Sequence, residues 1–443
     1  MPRLFGTDGV RGIANSELTP ELAFRLGEAA GTVLGATGRG RLVIGKDTRI
    51  SGDMLEAALV AGICASGCDA LLAGIVPTPA VALLVRELGA DAGVVISASH
   101  NPAEYNGIKF FDRDGFKLQD AVEDELESMA MADTRSTRPI GASIGSTSVI
   151  ADAVERYVAH AVATVPGRLD GLKVALDCGH GAAARTSEIA LRALGADVVA
   201  VNCEWNGTDI NQGSGSTHLA PLTELVLASH ADLGIAHDGD ADRTLAVDET
   251  GSVVDGDHII AVCAAQLHAE GALAQDTVVG TVMTNMGFDV AMGALGITVV
   301  KAQVGDRYVL EEMRRTGSVL GGEQSGHVIF LSHTTTGDGL ITALQLAHAV
   351  AATGQPLSEL AGIVKPFPQV LINVRVSDAA AVMGAQSLLD AVKAEEASLD
   401  GHGRVLVRAS GTEPLVRVMV EASEESAARD TAERLAKLVE QAG

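Results

Sequence analysis

The sequence predicts an α/β protein with several domains, and two patterns carry this prediction. Over residues 42–99, short apolar runs alternate with stretches of helical periodicity, which is typical of βαβ units. A joint that reads as a helix end, a Gly cap and a strand start recurs at residues 87–91, 193–199 and 294–300. Since 443 residues exceed one ordinary domain, we expect three similar α/β units and one further domain.

The first unit, expected over residues 1–150, shows the alternation most completely. Its predicted elements, in order, are a strand at 42–45, a helix at 53–66, a strand at 70–76, a helix at 79–88, a strand ending at 96 and an acidic helix at 120–131. Residues 5–12 hold three glycines around Arg11 and predict an ordered loop instead of a regular element. A Ser/Thr/Gly-rich stretch over residues 134–148 predicts the end of the unit.

Three further domains are expected after this boundary. Two α/β units are predicted over residues 151–253 and 254–365. A proline-marked hinge at residues 366–368 precedes a smaller α+β domain over residues 369–443. Its predicted elements are strands at 369–376, 405–407 and 415–420 and a closing amphipathic helix at 424–441.

The composition narrows the class of protein. The formal net charge is −25, which disfavours non-specific binding to nucleic acid or to an anionic membrane, so an anionic substrate would need a local basic pocket. No apolar run is long enough to span a bilayer, and the functional character of residues 5–12 leaves no room for a signal peptide. The five cysteines include no Cys-x-x-Cys pair, so we expect a cytoplasmic protein.

The segment 94–102 places a serine at the end of a predicted strand. Loops at the carboxyl ends of parallel strands are where ligands bind, so the Ser99 hydroxyl can meet a substrate; a polar turn is the alternative. His100 and Lys109 can supply hydrogen bonds and positive charge around a phosphorylated Ser99. The chain has no Gly-x-Ser-x-Gly, Walker A or dinucleotide-binding motif in the required context, which disfavours a serine hydrolase, a nucleotide kinase and a dehydrogenase.

Three carboxylates, those of Asp238, Asp240 and Asp242, stand at alternate positions of one short segment. Such anions need a hard cation to coexist, and carboxylate oxygens suit Mg²⁺ or Ca²⁺. A Ca²⁺-binding EF-hand loop is one alternative because Glu249 stands at its last ligand position, but Arg243 replaces the required Gly and strands are predicted on both sides. We therefore predict a divalent-metal site with Mg²⁺ as the ion; a solvated acidic turn is the other alternative.

The segment 322–327 carries groups that suit a sugar. Glu323 and Ser325 offer an acceptor and a hydroxyl that can bind sugar hydroxyls or an amine. His327 can move a proton near neutral pH, although a lone His beside a strand is more often structural.

The segment 408–414 combines a cation with hydroxyls and a Gly. Its candidate anion-binding residues are Arg408, Ser410, Gly411 and Thr412, and Arg417 follows shortly after. Such loops form anion nests, and Arg can grip a phosphate through two hydrogen bonds. An ordinary hairpin turn is the alternative.

These four loops, in this order, resemble those of the α-D-phosphohexomutase superfamily over residues 5–417. The resemblance implies a four-domain phosphohexomutase architecture, with three similar α/β domains, a smaller C-terminal α+β domain and one active-site loop from each. It implies that Ser99 carries the phosphoryl group and that Arg11 and Lys109 attend it. Either Lys109 or His327 would move protons.

The resemblance also implies the ligand-binding residues. Asp238, Asp240 and Asp242, together with the Ser99 group, would hold one Mg²⁺ per chain. Glu323 and Ser325 would recognise the sugar. The phosphate that does not react would be bound by Arg408, Ser410, Gly411, Thr412 and Arg417.

Residues 5–12 and 97–102, and Gln324, resemble the bacterial branch of the superfamily that acts on glucosamine phosphates. The implied reaction is the reversible conversion of glucosamine 6-phosphate to glucosamine 1-phosphate through a phosphoserine and a sugar 1,6-bisphosphate. This reaction supplies UDP-N-acetylglucosamine for the cell wall, and such enzymes often form homodimers. A phosphomannomutase/phosphoglucomutase and a non-catalytic sugar-phosphate sensor are the alternatives on the same fold.

Overall fold

The computed structural model describes residues 3–6, 8–35, 39–132, 137–409 and 415–443. The chain divides into two compact units. The first unit comprises residues 1–283 and 297–363, and the second comprises residues 284–296 and 364–443. The first unit contains three sheets and the second contains one, and each unit has its own hydrophobic core.

The strands of the first unit are β1 (Val10–Ile13), β2 (Arg41–Lys46), β3 (Asp69–Ile75), β4 (Ala92–Ile96), β5 (Tyr105–Phe111), β6 (Thr147–Val149), β7 (Lys173–Asp177), β8 (Asp197–Val201), β9 (Leu233–His237), β10 (Thr244–Asp248), β11 (Val253–Val254), β12 (Thr277–Thr281), β13 (Thr298–Ala302), β14 (Leu320–Gly322) and β15 (Val328–Phe330). Its α-helices are α1 (Pro20–Val33), α2 (Ser51–Ser66), α3 (Thr78–Leu88), α4 (Asp120–Met131), α5 (Ala153–Ala163), α6 (Ser187–Ala193), α7 (Ala220–Ser229), α8 (Gly256–Ala269), α10 (Asp306–Thr316), α11 (Gly339–Thr353) and α12 (Leu357–Ala361). The second unit contains α9 (Met286–Ala294), β16 (Gln369–Arg375), α13 (Ala379–Met383), α14 (Gln386–Ser398), β17 (Gly403–Ala409), β18 (Leu415–Ala422) and α15 (Glu425–Ala442).

The first unit contains three sheets built on one plan. Their strand orders are β1-β5-β4-β2-β3-β6, β11-β10-β9-β7-β8 and β13-β12-β14-β15. Each sheet contains a set of neighbouring parallel strands, as helical crossovers require; the sets are β4-β2-β3-β6, β9-β7-β8 and β13-β12-β14. One antiparallel strand then extends each sheet, namely β5, β10 or β15. The predicted succession of similar α/β units is confirmed.

The predicted helix–glycine–strand joint occurs at all three positions. Helices α3, α6 and α9 are followed by Gly89, Gly195 and Gly296, which have φ of 58°, 99° and 77°. Only a residue without a side chain adopts this left-handed conformation at little cost. The strands β4, β8 and β13 begin shortly afterwards.

Residues 5–12 are not a loop throughout, because β1 begins at Val10 and includes Arg11. This strand pairs with β5 in antiparallel register, with Arg11 opposite Gly107. The glycines that suggested a loop instead permit close approach: a Cβ on Gly9 would lie 2.3 Å from the carbonyl oxygen of Ile108. The prediction was wrong because β1 owes its structure to a partner about a hundred residues away in sequence, which local composition does not reveal.

Helices α1 and α2 cross closely over the first sheet because glycines lie at their contact. A Cβ on Gly27 would lie 2.2 Å from the carbonyl oxygen of Leu59, and a Cβ on Gly62 would lie 2.1 Å from that of Phe24. The core beneath them consists of buried aliphatic side chains from the helices and the sheet, including Leu26. Small residues at this crossing therefore set how tightly the core closes.

A buried hydrogen bond joins α5 to the start of α11. The hydroxyl of Tyr157 donates to Oδ1 of Asp338 at 2.7 Å, and the same oxygen accepts the backbone N–H of Ile341 at 2.9 Å and so caps α11. Burial raises the pKa of Asp338 to about 6. This cap is therefore held by a carboxyl group whose ionisation is disfavoured by its surroundings.

The second unit is an antiparallel sheet, in the order β16-β18-β17, covered by α15. Its buried Glu421 accepts hydrogen bonds from Nε of Arg404 at 2.8 Å and from the backbone N–H of Met286 at 3.0 Å. The second bond attaches α9 to this sheet. The predicted smaller α+β domain is confirmed.

No helix among the described residues is long and apolar enough to cross a membrane.

We expect Gly62→Ala to lower the free energy of unfolding by about 1–3 kcal/mol, because the new Cβ must displace the backbone of α1. The matched control is Gly293→Ala in α9, where a Cβ meets nothing within 4 Å. The control should be neutral or stabilising by about 0.5–1 kcal/mol through better helix propensity. Thermal and urea unfolding measure both variants. Equal effects would show that the α1–α2 crossing tolerates a side chain.

We expect Asp338→Asn to change stability in a pH-dependent way. The folded carboxyl has a pKa of about 6, raised from the ordinary 3.8, so the folded state binds more protons than the unfolded state between these values. The wild type therefore loses stability as pH rises through this window, whereas Asn does not. Relative to wild type, the variant should gain about 1–3 kcal/mol between about pH 4 and pH 7. A pH-independent difference in urea unfolding would contradict this expectation.

Candidate active site

Ser99 is buried at the end of β4 in a left-handed backbone conformation, with φ of 53°. Its Oγ donates to Oδ2 of Asp238 at 2.6 Å and lies 3.2 Å from Nδ1 of His100. Burial and the charges of Arg243 and Arg11 lower the pKa of His100, which keeps this imidazole neutral. The sequence placed Ser99 at a strand end, and the structure places its hydroxyl directly on the aspartate cluster.

Lys109 lies opposite Val95 in the β4–β5 ladder, so its side chain enters the site beside the serine loop. Its Nζ donates to Oδ2 of Asp240 at 3.0 Å and lies 3.7 Å from Oδ2 of Asp242. Burial acts to lower the pKa of Lys109, but the two carboxylates outweigh it and raise the pKa. Lys109 is therefore a fixed positive charge next to the aspartates.

Asp238, Asp240 and Asp242 follow β9, and β10 returns antiparallel from the same turn. Their ligand oxygens all lie within 4.8 Å of one another and all three side chains are buried. Burial, together with the charges of Asp242 and Asp240, raises the pKa of Asp238 well above its ordinary value. For Asp242 burial acts in the same direction, but the charges of Lys109 and His327 hold the pKa far below its usual range.

The three aspartates fit a divalent cation. Among the described residues no hydrogen-bond donor reaches Oδ1 of Asp240 or Oδ1 of Asp242, although both atoms are buried. Unsatisfied buried carboxylate oxygens are costly, and a hard cation satisfies them. The structure thus supports an acidic triad that can hold a metal ion.

Glu249 is separate from this triad. Its carboxylate accepts hydrogen bonds from the backbone N–H of Ser358 at 3.2 Å and from the hydroxyl of Ser358, at the start of α12. The predicted strands on both sides of the aspartates are present as β9 and β10. These features exclude the helix–loop–helix arrangement of an EF-hand.

The loop over residues 323–327, for which sugar binding is predicted, joins β14 to β15, with Gly322 opposite Val328 in the ladder. Oε1 of Glu323 accepts the backbone N–H of Gly305 at 3.0 Å, which fixes its orientation. Ser325 is exposed at the tip of the turn. Both residues therefore lie on the turn of the β14–β15 hairpin.

His327 is buried between two carboxylates. Its Nδ1 lies 3.6 Å from Oδ2 of Asp242, and its Nε2 lies 3.7 Å from Oδ2 of Asp306 and accepts the N–H of Gly337 at 3.1 Å. Burial acts to lower the pKa of His327, but Asp242 and Asp306 outweigh it and raise the pKa. The structure thus brings His327 to the aspartate cluster, as an active-site role requires.

A chain of charges extends from Arg11 to His327. Arg11 donates to Oδ2 of Asp8 at 3.0 Å, and Lys117 donates to Oδ1 of Asp8 at 2.7 Å and to Asp306. The Nε of Arg11 is buried, and no acceptor reaches it within the part of the chain that the structure describes. Of these charged residues, only Arg11 and His327 were predicted from the sequence. Lys117 and Asp306 were missed because they stand shortly before α4 and at the start of α10, where charged residues are ordinary.

A cavity of about 100 Å³ opens beside these charged residues. Its lining includes Lys117, Asp306, His327, Arg314 and Thr336. A mixture of cations, a carboxylate and a hydroxyl suits a polar ligand such as a sugar phosphate.

Sequence reasoning also missed the residues that surround the serine loop, namely Asp47, Arg49 and Asn211. Asp47 follows β2, which pairs with β4 in parallel with Lys46 opposite Ile96. The carboxyl ends of neighbouring parallel strands meet at one sheet edge, so Asp47 had to lie near the residue after Ile96. The signal available in the sequence was the polar segment at residues 47–49, directly after β2, which indicates a second functional loop at this sheet edge.

In the second unit, Arg408 and Arg417 lie directly opposite each other in the β17–β18 ladder. Burial and the charge of Arg417 lower the pKa of Arg408. Like charges in a cross-strand pair are unfavourable unless an anion shares them. Ser410, Gly411 and Thr412, which were predicted to complete this anion site, lie outside the described residues.

Comparison with known families accounts for almost the whole chain. The family described as phosphoglucomutase/phosphomannomutase matches through its alpha/beta/alpha domain I at residues 2–136, domain II at 155–251, domain III at 255–367 and its C-terminal domain at 371–438. A solved structure of a putative phosphomannomutase from Thermus thermophilus is similar with a TM-score of 0.80 and 26% identity, covering 99% of both chains. A phosphoglucomutase/phosphomannomutase family protein from Burkholderia thailandensis shares the fold, with a TM-score of 0.84 at 24% identity over 99% of this chain and 97% of that one.

Curated relatives agree at much higher identity. A phosphoglucosamine mutase from Rhodococcus opacus is 54% identical over 99% of both chains. Another from Frankia casuarinae is 56% identical over 99% of this chain and 98% of its own length, and one from Pelotomaculum thermopropionicum is 52% identical over 99% of both. Together with the serine loop, the aspartate triad and the loop at residues 323–327, these similarities show that the chain belongs to the phosphoglucosamine mutase family of the α-D-phosphohexomutase superfamily.

Proposed function

We propose that the protein is a phosphoglucosamine mutase enzyme that reversibly converts glucosamine 6-phosphate to glucosamine 1-phosphate. The observation that carries the proposal is the buried Ser99 hydroxyl, 2.6 Å from Oδ2 of Asp238, in a cluster of aspartates that also binds the cation Lys109. This arrangement offers one nucleophile with concentrated charge stabilisation, which is what phosphoryl transfer chiefly requires. The names and full-length similarity of the curated relatives support the amino-sugar substrate.

The proposed reaction has two half-reactions that use the same serine. In the first, the bond between phosphorus and Oγ of Ser99 breaks, a bond between phosphorus and the sugar O1 forms, and the proton of the O1 hydroxyl passes to Oγ, directly or through a side chain of the site. In the second, the 1,6-bisphosphate has turned, the bond between phosphorus and O6 breaks, a bond between phosphorus and Oγ forms, and the proton of the Ser99 hydroxyl passes to O6 in the same way. The bisphosphate therefore also serves as the activator that phosphorylates resting Ser99.

The ion we propose is Mg²⁺, one per chain, held by Asp238, Asp240 and Asp242 with the Ser99 group as a further ligand. When bound, it supplies positive charge to the phosphoryl oxygens. Lys109 adds a second positive charge on the same side. Arg11, whose Nε is buried and without an acceptor among the described residues, is available to bind an oxygen of the phosphoserine.

Proton transfer is proposed for the groups nearest the cavity. His327 lines it, and the carboxylates of Asp242 and Asp306 raise its pKa, so that its imidazole can exchange a proton with a substrate oxygen. His100, with its lowered pKa, stays neutral and can accept a hydrogen bond from Ser99. Lys109, a cation held by two carboxylates, suits charge stabilisation better than proton abstraction.

Substrate recognition is proposed for the remaining loops. Glu323 and Ser325 would bind the amino and hydroxyl groups of the sugar. Arg408 and Arg417, two cations that stand opposite each other in the β17–β18 ladder, would bind the phosphate that does not react, together with Ser410, Gly411 and Thr412.

The five cysteines all lie in the described part of the chain and are free, which supports the proposed cytoplasmic location. A homodimer is proposed from the family resemblance, and its test is light scattering.

We expect purified protein to carry phosphate on Ser99 and to form glucosamine 1-phosphate with Mg²⁺ and a catalytic amount of sugar 1,6-bisphosphate. Peptide mass mapping and product analysis measure both. Ser99→Ala should lose the phosphopeptide and at least about 10³-fold in kcat, because no other group occupies the nucleophile position.

Parallel assays with glucose and mannose phosphates distinguish the related activities. A strong preference for mannose 1-phosphate would replace the proposed substrate. Folded, metal-bound protein that yields no isomer would instead support a sugar-phosphate sensor.

We expect Asp240→Asn to weaken Mg²⁺ binding by at least about tenfold, since the triad loses one anionic ligand. The matched control is Glu249→Ala, which removes a carboxylate that caps α12 and should leave Mg²⁺ affinity unchanged. Calorimetric titration measures both. If both variants weaken binding equally, the ion is not held by the aspartate triad.

A further inference from the structure

The serine loop is anchored by a buried ion pair. Nε of Arg49 donates to Oδ2 of Asp47 at 2.9 Å, and neither side chain has any solvent exposure. Removing two charges from water is costly, so a pair of this kind contributes little net stability compared with apolar residues of the same size. We therefore expect this ion pair to have a role other than stabilising the fold.

The guanidinium of Arg49 uses all five of its N–H donors. Besides the bond to Asp47, its two terminal nitrogens donate to four backbone carbonyls of the loop and its exit. The acceptors are the carbonyl oxygens of Ser99 at 2.9 Å, Asn101 at 2.8 Å, Tyr105 at 3.0 Å and Pro102. A planar group with five donors in fixed directions thereby specifies the path of the loop.

A second set of bonds acts on the backbone of Ser99 itself. Oγ of Ser97 donates to Oδ2 of Asp47 at 2.6 Å and accepts the backbone N–H of Ser99 at 2.9 Å. Nδ2 of Asn211 donates to the carbonyl oxygens of Ser99 at 2.9 Å and Asn101 at 3.1 Å. The N–H and the C=O of Ser99 are therefore both held.

These bonds enforce a conformation that a serine does not prefer. Ser99 has φ of 53°, a left-handed conformation that is unfavourable for a residue with a side chain and persists where the surroundings impose it. In this conformation Oγ points at Asp238. The bonds of Arg49, Ser97 and Asn211 thus act together on the direction of one hydroxyl.

We propose that Arg49, Asp47, Ser97 and Asn211 are positioning residues that hold Oγ of Ser99 in one place through both half-reactions. The proposal rests on the proposed function. Oγ is the leaving group in one half-reaction and the nucleophile in the other, so a single fixed position serves both only if the loop does not relax between them. Displacement of a reacting atom by about 1 Å can cost roughly a hundredfold in rate.

The test is steady-state kinetics of Ser97→Ala and Asn211→Ala, with Arg49→Lys as the more severe variant. We expect Ser97→Ala and Asn211→Ala each to lower kcat by about 10- to 100-fold, while KM for glucosamine 6-phosphate and Mg²⁺ affinity stay within about twofold. The unfolding midpoint should stay close to that of wild type. The matched control is Ser66→Ala, whose hydroxyl donates to the carbonyl oxygen of Ile63 in its own helix α2 and does not touch the serine loop; its kcat should be that of wild type.

Hydrogen exchange supplies a readout that a merely structural role would not move. Ser97→Ala should accelerate exchange of the amides at residues 97–101 and leave other regions unchanged. The proposal is overturned if both loop variants keep the wild-type kcat, or if kcat falls only in parallel with the unfolding midpoint and with KM. A wild-type protein without phosphoserine or isomer formation would instead refute the proposed function, and with it the role of the positioning residues.

Discussion

The mutual repulsion of three buried carboxylates is the constraint around which the active site is organised. Asp238, Asp240 and Asp242 lie with their ligand oxygens within 4.8 Å of one another and are shielded from water. Lys109 neutralises part of this charge at Asp240, and the hydroxyls of Thr78 and Ser99 donate hydrogen bonds to Asp240 and Asp238. Two carboxylate oxygens lack a donor among the described residues, and a divalent cation would complete the balance.

The sheet topology explains how residues from distant parts of the sequence meet there. In each sheet of the first unit, the active-site loop joins the last parallel strand to an antiparallel neighbour, as in β4–β5, β9–β10 and β14–β15. Both ends of each loop are thereby fixed by a hydrogen-bonded ladder. Backbone placement on ladders gives the precision that phosphoryl transfer requires.

Predictions from local sequence were accurate where local forces decide the structure. The predicted helix at 120–131 has the bounds of α4, and the strands flanking the aspartates appear as β9 and β10, because hydrophobic periodicity reports burial within one element. The loop predicted at residues 5–12 was wrong for the last three residues, which form β1. A strand at a sheet edge acquires its structure from a distant partner, here β5, and its own composition does not indicate this.

The sequence by itself determined the chemistry of the site: a serine at a strand end, three alternate aspartates, a Glu-x-Ser-x-His segment and a Ser/Gly/Thr turn after Arg408, in an order that resembles one superfamily. Only the tertiary structure decided which charges neutralise one another. It placed Lys109 on Asp240 and Asp242, linked Arg11 to Lys117 through Asp8 and surrounded Ser99 with Arg49 and Asn211. These pairings join residues far apart in sequence, and their energies depend on distance and burial, which exist only after the chain has folded.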